Sequence, residues 1–80
     1  MLRQEVYAAT LAFMPKGKTP DTVAPDEAID AFKSTVGIRQ QMGGAMHWNM
    51  MNAEVHMWYD ICRHIGVDDE IMQELHKDLQ

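Results

Sequence analysis

The sequence contains a single cysteine, Cys62, among its 80 residues. A disulfide within the chain is therefore excluded, and a lone thiol is typical of proteins from reducing compartments. Domains of this size bury only about 60% of the surface of their unfolded chain. Small proteins without disulfides gain stability from a bound metal or from oligomerisation, so we expect one of these two to complete the core.

Long apolar runs and clustered basic residues are also missing. No stretch approaches the roughly 18 consecutive apolar residues of a membrane-spanning helix, and the first 14 residues lack the basic start and apolar run of a secretory signal. Seven Lys and Arg residues against twelve Asp and Glu residues give a net charge of −5, which opposes nonspecific binding to phosphate backbones. The composition predicts a cytoplasmic protein that binds neither membranes nor nucleic acids.

Helical spacing is what the sequence does contain. A first helix is predicted over residues 2–14 because apolar residues recur there at intervals of four and three: Leu2, Val6, Ala9 and Phe13. Proline and glycine then interrupt the pattern, which predicts an exposed loop over residues 15–24.

A second helix is predicted over residues 25–42. Pro25 suits the first turn of a helix, and the acidic pair Asp26 and Glu27 complements the positive end of the helix dipole. Its expected core stripe consists of Ile29, Phe32 and Val36. At Gly43-Gly44 the chain either turns back or continues as one long helix, and the spacing does not decide between the two.

The end of the sequence predicts one more short helix. Gly66 is well placed to terminate the preceding helix, and Asp68 is a good N-cap with acidic Asp69 behind it. We therefore expect a short helix over residues 68–79.

The helix predicted over residues 45–65 carries more apolar surface than one surface helix needs. At about 100° per residue, its apolar residues form two adjacent stripes. The first stripe consists of Trp48, Met51, Val55, Trp58, Cys62 and Ile65. The second consists of Met46, Met50, Ala53, Met57 and Ile61. We expect Trp58 at the centre of the buried contacts and Trp48 nearer their edge.

The surplus apolar surface indicates an interaction with a second copy of the chain or with another protein. Methionine is flexible and polarizable, so it suits adaptable binding surfaces, and the chain has eight methionines. The predicted interaction surface consists of Met46, Trp48, Met50, Met51, Val55, Met57, Trp58 and Ile61.

Two polar residues, His47 and Glu54, lie in the gap between the stripes. They are seven residues apart and therefore on nearly the same side of the helix. Either both residues are solvated at the rim of a monomer's core, or, because a buried carboxylate needs a partner, two chains form an antiparallel homodimer in which His47 faces Glu54 of the second chain. The same register would bring Trp58 over Gly43 of the second chain.

His56, Asp60 and His64 are the residues closest to metal chemistry. Side chains four apart on a helix stand one above the next, so two imidazoles and a carboxylate could bind Zn or Fe. Further ligands would have to come from other residues or from a second chain. The alternative interpretation is that Asp60 simply pairs with His56 and Arg63 on a polar face.

The sequence therefore predicts an all-α fold, a small helical bundle or helical hairpin of three to four helices completed by oligomerisation. Cys62 and His64 diverge by about 200° on a helix and cannot form a nucleophile and base pair, so we do not expect an enzyme. We expect one helical domain over residues 1–80 that acts by contact, as an adaptor, inhibitor or small phage-type regulator does. The alternative is a metal-binding bundle assembled from two chains.

Overall fold

The computed structural model describes residues 13–41 and 43–79, and all regular structure within these ranges is helical. Helix α1 spans Pro25–Gln41, α2 spans Ala45–His64, and α3 spans Asp69–His76 and continues as a 3₁₀ turn over Lys77–Leu79. The all-α prediction is confirmed at this level. The helix predicted over residues 2–14 lies outside the described residues except at Phe13 and Met14, which are not helical.

Helix α1 begins where its sequence predicts. Its first helical hydrogen bond runs from the Ala28 N–H to the Ala24 carbonyl at 3.0 Å. The Glu27 carboxylate reaches back and accepts a hydrogen bond from the Ala24 N–H at 3.0 Å, as the acidic residue of a capping box does. Phe32 and Val36 of the predicted stripe are buried, and Ile29 is partly buried against the same core.

The chain turns back between α1 and α2, so the structure forms a helical hairpin and not one long helix. Gly44 adopts a φ of 89° immediately before α2, a conformation that residues with a Cβ rarely adopt. Because α1 and α2 then pack along each other, the residues on their facing sides make most of the core.

Helix α2 ends in a Schellman motif. The Gly66 N–H donates to the Arg63 carbonyl at 3.2 Å, and the Val67 N–H donates to the Cys62 carbonyl at 3.1 Å. Gly66 has a φ of 88°, which this motif requires. Val67 and Cys62 are both buried, so the turn that ends α2 also fixes the start of α3 in the core. Asp68 stands at the predicted N-cap position of α3, without a side-chain capping hydrogen bond.

The segment before α1 is a loop, as its composition predicts, but it is only partly exposed. It has no regular helix, but Pro20 is fully buried and Val23 is only 4% exposed. The Thr22 and Val23 N–H groups both donate to the Thr19 carbonyl at 3.0 Å, which folds the loop into a compact turn. The turn directs two apolar side chains into the core, and for these residues the prediction was wrong.

The core contains apolar residues from every described element. Trp58 and Phe32 are its largest fully buried side chains. Trp58 lies in the core as predicted, and its indole Nε1–H finds no acceptor among the described residues. The buried apolar residues are Val23, Ala28, Ala31, Phe32, Val36, Val55, Trp58, Ile61, Cys62, Val67, Met72 and Leu75.

Candidate interaction surface

One side of α2 faces the core in its C-terminal half and has little cover in its N-terminal half. Residues seven apart on a helix differ by only about 20° in direction. Trp48 therefore points to the same side as buried Val55, and Met51 points to the same side as buried Trp58. The side of α2 that builds the core therefore continues into the N-terminal half of the helix.

Exposure along α2 changes abruptly near its middle. Every residue from Ala45 to Met50 is exposed, including Met46 at 74%, Met50 at 67% and Trp48 at 38%. Met51 is half-buried, whereas Val55, Trp58, Ile61 and Cys62 are fully buried. We call the residues Met46, His47, Trp48, Met50 and Met51 the N-terminal α2 surface.

The predicted interaction surface is therefore divided by the structure. Its members Met46, Trp48, Met50 and Met51 belong to the N-terminal α2 surface. Val55, Trp58 and Ile61 are buried within their own chain and cannot contact a partner in this conformation, and Met57 is partly buried against the core. Spacing along one helix fixes the direction of a side chain but not which side chains other elements cover, and this is why the predicted surface included three core residues.

The polar pair His47 and Glu54 is divided in the same way. His47 is exposed, whereas Glu54 is 8% exposed inside its own chain. The predicted antiparallel register also needs the Trp58 indole at the dimer interface, and that indole is fully buried in the core. The register is wrong at Trp58, because the core of a single chain already contains this ring.

Arg39 contacts the edge of the N-terminal α2 surface, and the sequence analysis did not identify this residue. The guanidinium donates from Nη1 to Asn52 Oδ1 at 2.6 Å and from Nη2 to the Asp78 carbonyl at 2.6 Å. Its central carbon lies 5.3 Å from the centroid of the Trp48 ring, in cation–π geometry. Arg39 is only 4% exposed. Its burial could have been predicted from spacing, since Arg39 continues the buried stripe of α1 three residues after Val36 and seven after Phe32.

The residues predicted as a metal alternative do not converge in one chain. His56 is exposed, Asp60 accepts from Arg63 at 3.3 Å, and His64 Nε2 lies 2.5 Å from Asp21 Oδ1. Within the part of the chain that the structure describes, no three His, Cys, Asp or Glu side chains are grouped to hold a metal ion. A site shared between two chains stays an untested prediction.

Cys62 has the environment of a structural cysteine. Its side chain is fully buried, and this burial raises the pKa of the thiol to about 11. A thiol with that pKa is protonated at neutral pH and is a poor nucleophile.

A cleft of about 650 Å³ lies between the end of α2 and α3, and the sequence prediction did not include it. Tyr59 and His76 form one wall, with ring centroids 5.8 Å apart, and Arg63 lies 5.2 Å above the Tyr59 ring. Val67 and Met72 line the same cleft and also belong to the core. The cleft therefore lies over the core at the junction of α2 and α3.

None of the helices in residues 13–41 and 43–79 is long and apolar enough to cross a membrane. Comparison of the chain with protein-family models, with curated proteins and with solved structures finds no match.

Proposed function

We propose that the protein is a helical interaction module that binds a second copy of itself through the N-terminal α2 surface. The observation that carries this proposal is the exposure of Met46 and Met50, at 74% and 67%, on a helix that elsewhere builds the core. Burying a large apolar side chain contributes about 1.5 to 3 kcal/mol, so covering this surface is favourable.

The charge distribution favours a second copy as the occupant. Residues 40–53 contain no Asp, Glu, Lys or Arg, although the chain carries a net charge of −5. Two such chains repel each other unless they meet through uncharged surface. A partner selected by charge would need charged residues here, whereas a second copy supplies an equally uncharged and equally apolar patch.

The size of the surface predicts a weak, reversible contact. Its residues span about 9 Å along α2 at 1.5 Å per residue, and specific stable interfaces usually bury more than about 1,000 Å². We therefore expect a dimer in exchange with monomer. Such a protein acts by contact, and the proposed class is an adaptor, inhibitor or small regulator in the cytoplasm, where Cys62 stays reduced.

Sedimentation equilibrium between about 10 and 500 μM protein tests this proposal, since small interfaces associate in that range. We expect the average mass to rise with concentration and the Met50→Lys variant to remain at 9.2 kDa. Ile71→Lys is the matched control, because Ile71 is also an exposed apolar residue, at 38%, but lies on α3.

Two outcomes contradict the proposal. A monomer across the whole concentration range would show that the surface does not bind a second copy. Equal weakening by Met50→Lys and Ile71→Lys would show that association does not depend on the N-terminal α2 surface.

A further inference from the structure

We propose that Arg39 is a positioning residue for the N-terminal α2 surface and couples Trp48 to the turn over Lys77–Leu79. One guanidinium contacts the Trp48 ring, the Asn52 amide and the Asp78 carbonyl. It therefore joins α1, α2 and the 3₁₀ turn at a single point. The role of Arg39 in positioning a partner-binding surface rests on the function proposed above. Its coupling of Trp48 to the 3₁₀ turn needs only a single chain.

The geometry explains why one residue can serve both elements. Trp48 and Asn52 are one turn apart on α2, so both side chains face Arg39 of α1. The guanidinium has two N–H edges, and the structure uses Nη1 for the α2 amide and Nη2 for the 3₁₀ turn. Because a guanidinium is planar and rigid, displacing one contact moves the others.

The chemistry of the two acceptors makes the hydrogen bonds of Arg39 sensitive to loss of the Trp48 ring. Both acceptor oxygens are neutral, one in a side-chain amide and one in the backbone, around a cation that is only 4% exposed. Taking a cation out of water is costly unless its donors are satisfied. The Asp78 carbonyl lies in the final turn of a helix, where the helix dipole favours a cation. Loss of the Trp48 ring therefore admits water to Arg39 and weakens its hold on the turn.

Amide hydrogen exchange of Lys77–Leu79, compared between variants of exposed residues, tests the coupling. We expect Trp48→Leu to speed exchange of these amides about two- to fivefold, the factor that corresponds to a cation–π contact whose ring is partly exposed. Trp48→Phe should have an intermediate effect, because phenylalanine binds cations less well than tryptophan. Met50→Leu is the control, since Met50 lies on the same surface and is more exposed than Trp48.

A double-mutant cycle separates this coupling from a general loss of packing. In an Arg39→Lys background, which keeps the charge but loses the two-edged donor, Trp48→Leu should no longer change exchange in the turn. Equal effects of Trp48→Phe and Trp48→Leu, or an effect that persists in the Arg39→Lys background, would overturn the proposal. These measurements use the monomer at low concentration, so a failure of self-association leaves their outcome unaffected.

Discussion

The two halves of α2 share one helix and one apolar side but differ in what covers them. The half after Glu54 lies against α1 and α3 and contains fully buried Trp58 and Ile61. The half before it contains Met46 and Met50, which are mostly exposed. The difference teaches that an apolar stripe predicts the direction of burial, whereas contacts with other elements decide which part of the stripe is buried.

The largest expected effect lies in the buried half. Trp58→Ala removes a fully buried indole, and aromatic-to-Ala substitutions in cores typically cost about 3 to 5 kcal/mol of unfolding free energy. Urea denaturation followed by circular dichroism measures this loss. Trp58→Phe should cost clearly less unfolding free energy. Phenylalanine keeps an aromatic ring in the core, and the Nε1–H that it removes has no acceptor among the described residues. Similar losses of unfolding free energy for both variants would contradict the prediction that the volume removed at Trp58 determines the loss.

The next effect appears at high pH and also concerns the buried half. Burial raises the pKa of the Cys62 thiol from 9.0 to about 11, so the folded state keeps its proton to a higher pH than the unfolded chain. Stability is therefore unaffected by this group below about pH 9 and falls between about pH 9 and 11, by on the order of 2 to 3 kcal/mol. Urea denaturation at several pH values checks this. Cys62→Ala is the control, and an equal pH dependence in both proteins would contradict the prediction.

A smaller effect is expected where the buried half ends. Gly66→Ala places a Cβ at a φ of 88°, and the left-handed conformation costs roughly 1 to 2 kcal/mol for a residue other than glycine. Apart from Gly66 and its two chain neighbours, no atom of the described residues lies within 4 Å of the added Cβ, so the loss is conformational. Outside the backbone of α1 itself, the Cβ of Gly37→Ala also meets no atom of the described residues within 4 Å, and this substitution should be stabilising, since alanine favours a helix. Thermal denaturation distinguishes the two signs, and a loss in both variants would contradict this account.

The smallest effect is expected in the exposed half. Met50→Ala should change the unfolding free energy by less than about 0.5 kcal/mol when measured on the monomer, as surface substitutions usually do. A loss comparable to that of Trp58→Ala would mean that the two halves of α2 are equally covered. Chemical denaturation at low protein concentration makes the comparison.

Much of the fold could be predicted from local patterns. The start of α1, the termination at Gly66 and the burial of Trp58 all follow from residues close together in sequence, whereas the turn at Gly44 was one of two alternatives that the sequence left open. Helical period and terminal signals act over one or two turns, and the structure confirms them. The burial of Pro20 and Val23 could not be predicted in this way, because it depends on the loop folding back onto the helices.

The candidate surface was only partly predictable for the same reason. Met46 and Met50 were identified from spacing, but so were Val55 and Ile61, which the core covers. Arg39 stands on the buried stripe of α1, yet its acceptors lie on two other elements that spacing along α1 does not describe. Contacts between elements decide which polar residue enters the core, and a pattern within one helix carries no information about them.

The bond between Arg39 and the Asp78 carbonyl also sets an order of events during synthesis. Its two residues are 39 positions apart, so at 5 to 20 residues per second Arg39 exists for roughly 2 to 8 s before its acceptor has been made. Until then the Arg39 guanidinium lacks one of its three contacts. A ribosome stalled before residue 78 therefore holds a chain in which the contact that joins α1 to the 3₁₀ turn cannot form.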